Sequence, residues 1–176
     1  MRLGFTGTQS CGKSTLVNSL KEIPEFKDYH FATERSKYLR DLGIPLNTDS
    51  TLKGQTIFLA ERCSELIHQN IITDRSIIDV IAFTLNAKGI TNDDKELFEH
   101  YASSFLSEYD YIFYVSPEGV DIEDNGVRTV DPQYRIDIDN TILNLCEKYK
   151  FYVPNIVPIF GSHENRLKMI KSSLGL

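Results

Sequence analysis

Cysteine is scarce in this 176-residue chain, and its placement excludes a disulfide scaffold. Cys11, Cys63 and Cys146 are odd in number, far apart, and match no C-x-x-C metal or redox spacing. A reduced, intracellular, cytoplasmic protein is the expectation. His30, His68, His100 and His163 are equally scattered and spell no zinc pattern. No apolar stretch approaches the ~18 residues of a membrane span, and the N-terminus runs directly into a strand pattern without signal-peptide features. An excess of positive charge is also missing. Nineteen Lys and Arg against 25 Asp and Glu give a net charge of −6, which argues against a nucleic-acid backbone as the main partner. Internal repeats, low-complexity tracts and linkers are absent. With 41% hydrophobic residues, what remains suits one compact domain, 1–176, with a substantial core.

Against these absences stands one specific stretch, Gly7-Thr8-Gln9-Ser10-Cys11-Gly12-Lys13-Ser14-Thr15. It satisfies G-x-x-x-x-G-K-[ST], the phosphate-binding P-loop pattern. Two glycines let a short loop curl so that backbone N–H groups converge on phosphate oxygens. Lys13 is expected to reach the outer phosphates, with the Ser14 hydroxyl on Mg²⁺, and a helix starting there adds its positive end. The apolar run Leu3–Thr6 before the loop and the helical spacing of Leu16, Val17 and Leu20 after it supply the strand–loop–helix context that the motif requires.

Farther along, strands are expected at Tyr29–Thr33, Asn70–Asp74, Tyr111–Val115 and Ile156–Phe160. Helices are expected over Glu34–Leu42, Thr51–Ile67, Ser76–Ala87 (apolar on all sides, hence buried), Asp93–Ser107, the stretch opened by Asp131-Pro132, and Glu164–Leu174. In Thr51–Ile67 the apolar positions are Leu52, Ile57, Leu59, Cys63, Leu66 and Ile67. In Asp93–Ser107 the inward set reads Leu97, Phe98, Tyr101 and Phe105, and after Asp131 it reads Ile138, Ile142, Leu145 and Tyr149. Glu118–Val130 is acidic, contains glycine and reads as a mobile loop, part of a short lid over about 118–135. Alternating strands and helices imply an α/β fold, a parallel sheet with helices on both faces.

In such sheets the ligand lies beyond the carboxyl ends of the strands. Those ends carry the P-loop, Thr33-Glu34-Arg35, Asp74-Arg75-Ser76, Ser116-Pro117 and Gly161-Ser162. Phosphoryl transfer needs charge compensation, Mg²⁺ and a group that orients or deprotonates the acceptor. Asp74 is placed to hold Mg²⁺; its alternative is a carboxylate at a helix N-terminus. Glu34 suits a general base, or a first-turn glutamate supporting the next helix. Arg75 suits an acceptor phosphate or the transferring group. Asp79 sits among Ile77, Ile78, Val80 and Ile81, where Ser76-x-x-Asp79 has capping-box spacing, so it either anchors the helix and positions Arg75 or contacts substrate. Arg128 and Arg135 bracket the acidic loop and suit charge neutralisation on a closing lid, or balance local aspartates. Gln55 offers two hydrogen bonds to a base edge, or faces solvent.

These stretches together resemble the small P-loop kinases that act on nucleosides, nucleotides and related molecules. Asp74-Arg75-Ser76 resembles the thymidylate kinases and, with Glu for Asp, the deoxynucleoside kinases. In the latter the glutamate ending the second strand is the base, which maps onto Glu34, and the base-reading glutamine resembles Gln55. Ser10–Ser14 and Asp124-Asn125-Gly126-Val127-Arg128 also resemble the ribosylnicotinamide kinase domain and its often phage-encoded AAA-type relatives, for which host cytoplasm is the expected location. The resemblance implies a P-loop NTPase three-layer sandwich with a five-stranded parallel sheet in the order 2-3-1-4-5. It implies ATP and Mg²⁺ as cofactors, with Gly7, Gln9, Ser10, Cys11, Gly12, Lys13, Ser14 and Thr15 on the nucleotide. A small nucleoside or nucleoside monophosphate is the acceptor it implies, and a homodimer is compatible with it. Nicotinamide riboside and a nucleic-acid hydroxyl are the alternative acceptors. A non-catalytic nucleotide sensor is the alternative class, and it leaves Glu34, Asp74, Arg128 and Arg135 without a task. The Asn-Lys-x-Asp guanine reader of GTPases is absent.

Overall fold

The computed structural model describes residues 1–33, 35–120 and 131–176. Five short strands, β1 (Arg2–Thr6), β2 (His30–Ala32), β3 (Ile71–Thr73), β4 (Tyr111–Val115) and β5 (Asn155–Ile159), form one sheet in the order β2-β3-β1-β4-β5. Every pairing is parallel, so each connection must cross a face of the sheet, and helices make the crossings. These are α1 (Lys13–Leu20), α2 (Ser36–Asp41), α3 (Leu52–Glu65), α4 (Ile77–Leu85), α5 (Asn92–Ser103) and α6 (Pro132–Lys148), and α7 (His163–Leu174) follows β5. Among the described residues, no helix is long and apolar enough to cross a membrane.

The strands read as continuous apolar runs because both faces are covered. Successive side chains alternate between two cores. Phe113 and Val115 join Leu3, Phe5 and Ile72 against Leu16, Val17 and Leu20 of α1 and Ile170 of α7. Ile112 and Tyr114 join Ile71 against α3, α4, α5 and α6, through residues such as Leu59, Ile78, Ala102 and Ile142. The three-layer sandwich and its strand order therefore agree with expectation. Gly4 belongs to the second face for a packing reason: a Cβ there would lie 2.8 Å from the ring of buried Tyr109.

Two inward assignments are corrected. Leu97 and Tyr101 are 69% and 62% exposed. α5 packs against α4 through a narrow stripe in which Phe98 and Ala102 are buried and Phe105 packs from just past the helix end, so the adjoining face carrying Leu97 and Tyr101 is left to solvent. Ile67 is likewise exposed, because α3 stops at Glu65 and the chain turns away before it. The buried stripe of α6 and the all-round burial of α4 match the sequence pattern.

Candidate nucleotide-phosphate site

β1 ends at Thr6 and the chain enters α1 at Lys13, so Gly7–Gly12 form the connecting loop. Gly7 takes φ +152°, and a Cβ on it would lie 2.7 Å from the Val115 carbonyl oxygen, so no larger residue fits. Gly12 takes φ +92° as the N-cap of α1. Ser10, at φ 55°, is a non-glycine residue in the left-handed region, a local strain typical of ligand loops. α3, α4, α5, α6 and α7 each start on a capping side chain: Thr51, Ser76, Thr91, Asp131 and Ser162. α1 has no such cap and no acidic residue in its first turn. Its N–H groups and dipole are left for an anion from outside.

Lys13 is buried, and its ammonium donates to the Gly7 and Thr8 carbonyl oxygens at 2.6 and 2.8 Å, with Cys11 Sγ at 3.4 Å. The cation is thereby stored inside the loop's own curve. Gln9 and Cys11 are buried, Ser14 is half-buried in the first turn of α1, and Thr15 is exposed. Thr8 Oγ1 donates to Gln9 Oε1 at 2.9 Å and lies 3.1 Å from the Arg135 carbonyl oxygen. Arg135 stands in the first turn of α6, and its Nη2 donates to the Ser10 carbonyl oxygen at 3.3 Å. Arg128 and Glu34 lie outside the described residues.

The β3 end adjoins the loop because β3 pairs with β1, Thr73 facing Gly4. Asp74 follows that strand, 3% exposed, and its Oδ1 has no hydrogen-bond partner among the described residues. A buried, unsatisfied carboxylate oxygen is unfavourable unless something else binds it. That oxygen, and the hydroxyl of Ser14 in the first turn of α1, are hard donors of the kind taken by Mg²⁺, a cation that keeps waters and needs only one or two protein oxygens beside phosphates. Among the described residues there is no group of three or more His, Cys, Asp or Glu able to cage a metal.

Arg75 follows with φ 136°, a strained backbone for a side-chain-bearing residue. Its guanidinium lies over the Phe83 ring at 5.0 Å and 3.6 Å from Asp79 Oδ1. Asp79 is fully buried and forms the capping box of α4, accepting Ser76 N–H at 2.9 Å while Ile78 N–H donates to Ser76 Oγ at 3.1 Å. Its other oxygen accepts the Gly7 N–H at 3.4 Å. Gln55 on α3 is buried rather than turned to solvent.

Three features were not singled out from sequence. Arg166 of α7 is 3% exposed and donates to three carbonyl oxygens, Cys11 at 2.6 Å, Gly161 at 2.8 Å and Ser116 at 3.0 Å. Its four-residue spacing from buried Ile170 was the available signal that it points inward. Tyr114 donates to Asp139, its hydroxyl 3.0 Å from each carboxylate oxygen, and burial pushes both groups up from their ordinary pKa values. A cleft of about 400 Å³ opens there, between Tyr114, Ser116, Arg135 and Leu143. On α3, Arg62 donates to Glu65 at 2.7 Å, and burial pushes the Glu65 carboxyl up to about 7 in spite of that partner.

The model of one domain family, described as an AAA domain, matches residues 2–166. The chain belongs to that AAA domain family. No curated protein sequence matches this AAA domain. Among solved structures it is similar to deoxyadenosine kinase from M. mycoides with bound dCTP, at 17% identity and a TM-score of 0.68, covering 99% of each chain. The same kinase with the products dCMP and dCDP gives 16% identity and a TM-score of 0.66, over 99% of this chain and 98% of that one. NadR protein in complex with NAD and AMP-PNP gives 13% identity and a TM-score of 0.72, over 99% of this chain and 49% of that one. At these identities the likeness establishes the fold of the AAA domain.

Proposed function

We propose that this chain is an ATP- and Mg²⁺-dependent kinase that transfers the γ-phosphate to a nucleoside or (deoxy)nucleoside monophosphate. One observation carries the reading. An uncapped helix N-terminus and a lysine folded into a glycine loop lie beside a strand end bearing Asp74, whose buried Oδ1 has no partner among the described residues, and Arg75. Donor-side charge neutralisation and a hard-cation oxygen set are thereby adjacent, as phosphoryl transfer demands. The likeness to a deoxyadenosine kinase and to an AMP-PNP-binding protein supports the same reading.

In this scheme the loop N–H groups and the α1 N-terminus receive the phosphates, and Lys13 exchanges the Gly7 and Thr8 carbonyls for outer phosphate oxygens. Gln9, Ser10, Cys11, Gly12 and Thr15 complete the lining of the nucleotide. Ser14 and Asp74 would hold Mg²⁺, which would supply positive charge against the phosphates during transfer. Glu34 takes the proton of the acceptor hydroxyl. Arg75 binds the acceptor or the transferring group, and Arg128 and Arg135 neutralise charge from the side of 118–135. Gln55 reads the acceptor's base, and Asp79 serves the acceptor by fixing Arg75. The test is a panel of nucleosides, nucleoside monophosphates, nicotinamide riboside and oligonucleotides incubated with ATP and Mg²⁺ and read by mass spectrometry. A gain of one phosphate on a nucleoside or a monophosphate supports the proposal. A gain on nicotinamide riboside or an oligonucleotide reassigns the acceptor, and no gain on any acceptor ends the kinase reading.

A further inference from the structure

Arg166 is a buried cation whose observed partners are all neutral. Its Nη1, Nη2 and Nε donate to the carbonyl oxygens of Cys11, Ser116 and Gly161, and among the described residues no carboxylate pairs with it. Burying a guanidinium among carbonyls is unfavourable relative to water unless the site gains something from the charge. The three acceptors belong to three separate chain segments, namely the P-loop, the exit of β4 and the exit of β5. One planar fork therefore ties together three of the strand ends around the phosphate site.

The 2.6 Å bond to Cys11 has a further consequence. The peptide between Cys11 and Gly12 is trans, so its C=O and N–H point in opposite directions. A donor that holds the Cys11 oxygen therefore fixes the Gly12 N–H on the side of the peptide away from Arg166. A charged donor on the carbonyl also polarises the same peptide and strengthens its N–H as a donor. Arg135 does the same more weakly for the preceding peptide, between Ser10 and Cys11, through the Ser10 oxygen at 3.3 Å. Lysine could supply the charge but not three bonds in one plane.

We infer that Arg166 is a positioning residue of the phosphate site: it aims and polarises the Gly12 N–H and adds a fixed positive charge at the loop. The inference rests on the nucleotide-binding half of the proposed function. It does not depend on which acceptor is used.

The experiment is equilibrium titration of the full chain with ADP, for wild type, Arg166→Lys and Arg166→Met, with the Gly12 amide followed by ¹⁵N-glycine NMR. Urea midpoints serve as the control for folding. The expected result is at least a 10-fold loss of ADP affinity in Arg166→Met and a smaller loss in Arg166→Lys. In both, the ADP-induced shift of the Gly12 amide shrinks while that of Gly7 persists. Arg166→Lys keeps the charge and most of the stem, and it carries the comparison if Arg166→Met does not fold. ADP affinities within twofold of wild type, with an unchanged Gly12 shift, overturn the assignment and leave nucleotide binding standing. A wild-type chain that does not bind ADP overturns both.

Discussion

Asp79 joins the start of α4 to the start of the P-loop: one carboxylate oxygen accepts the Ser76 N–H at 2.9 Å and the other accepts the Gly7 N–H at 3.4 Å. The group is fully buried, and Arg75 is its cationic neighbour at 3.6 Å. Truncation would strip a helix cap and leave a buried amide and a guanidinium short of their acceptor. Asp79→Ala is expected to lose about 3 kcal/mol in urea unfolding, between the value of a lost cap and that of a broken buried pair. Asp79→Asn keeps an acceptor for the cap but no charge for Arg75, and should lose about half as much. A wild-type midpoint in Asp79→Ala would show that the cap and the loop contact contribute nothing to stability.

Asp79 also marks how far the sequence could be read. Its capping box is four residues long, and its spacing announces it. The P-loop is equally local, and the apolar strands between helical stripes are enough to dictate a parallel sheet. What lay beyond reach is set by partners distant in sequence. The Arg166–Cys11 bond spans 155 positions. The Tyr114–Asp139 pair joins a strand to the helix after the next loop, and neither residue stands in a motif. The sequence leaves the orientation of α5 open, because Phe98 and Tyr101, or Phe98 and Ala102, give equally good helical stripes. Only the presence of α4 on one side selects the second.

Asp74→Asn separates function from stability. Asp74 Oδ1 makes no hydrogen bond among the described residues, so an isosteric amide breaks no bond at that oxygen. The variant should be as stable as wild type or gain up to about 1 kcal/mol, the usual relation between a functional site and the stability it sacrifices. The Mg²⁺ concentration for half-maximal transfer should rise about 10-fold or more. Unchanged Mg²⁺ dependence together with a lowered melting temperature would make Asp74 a structural carboxylate.

Glu65 sets a pH dependence of folding. Burial raises its carboxyl from 4.5 to about 7, against the lowering effect of Arg62. Between those values the folded chain holds a proton that the unfolded chain has released. Stability must therefore fall as pH rises from about 4.5 to 7 and stay level above it, by up to about 3 kcal/mol across the window. Urea midpoints from pH 5 to pH 8 measure this slope. In Glu65→Gln the slope should flatten, whereas an unchanged slope in that variant assigns it to another group.

Glu34 and Lys13 divide the proposed chemistry between acceptor and donor, and their variants should separate accordingly. A general base contributes about 10² to 10⁴ in rate, so Glu34→Gln should slow transfer by that order while leaving the affinity for ADP unchanged. Lys13 acts on the phosphates themselves. Its ammonium already sits between the Gly7 and Thr8 carbonyls at the loop, so Lys13→Ala removes charge where the triphosphate would lie. Both ADP affinity and transfer should fall in Lys13→Ala, the latter by about 10² or more. Rapid-quench measurement of transfer, paired with calorimetric titration of ADP, distinguishes the two patterns. If Glu34→Gln turns over at near the wild-type rate, the base role passes to Asp74, whose buried carboxylate is the next proton acceptor along the strand ends.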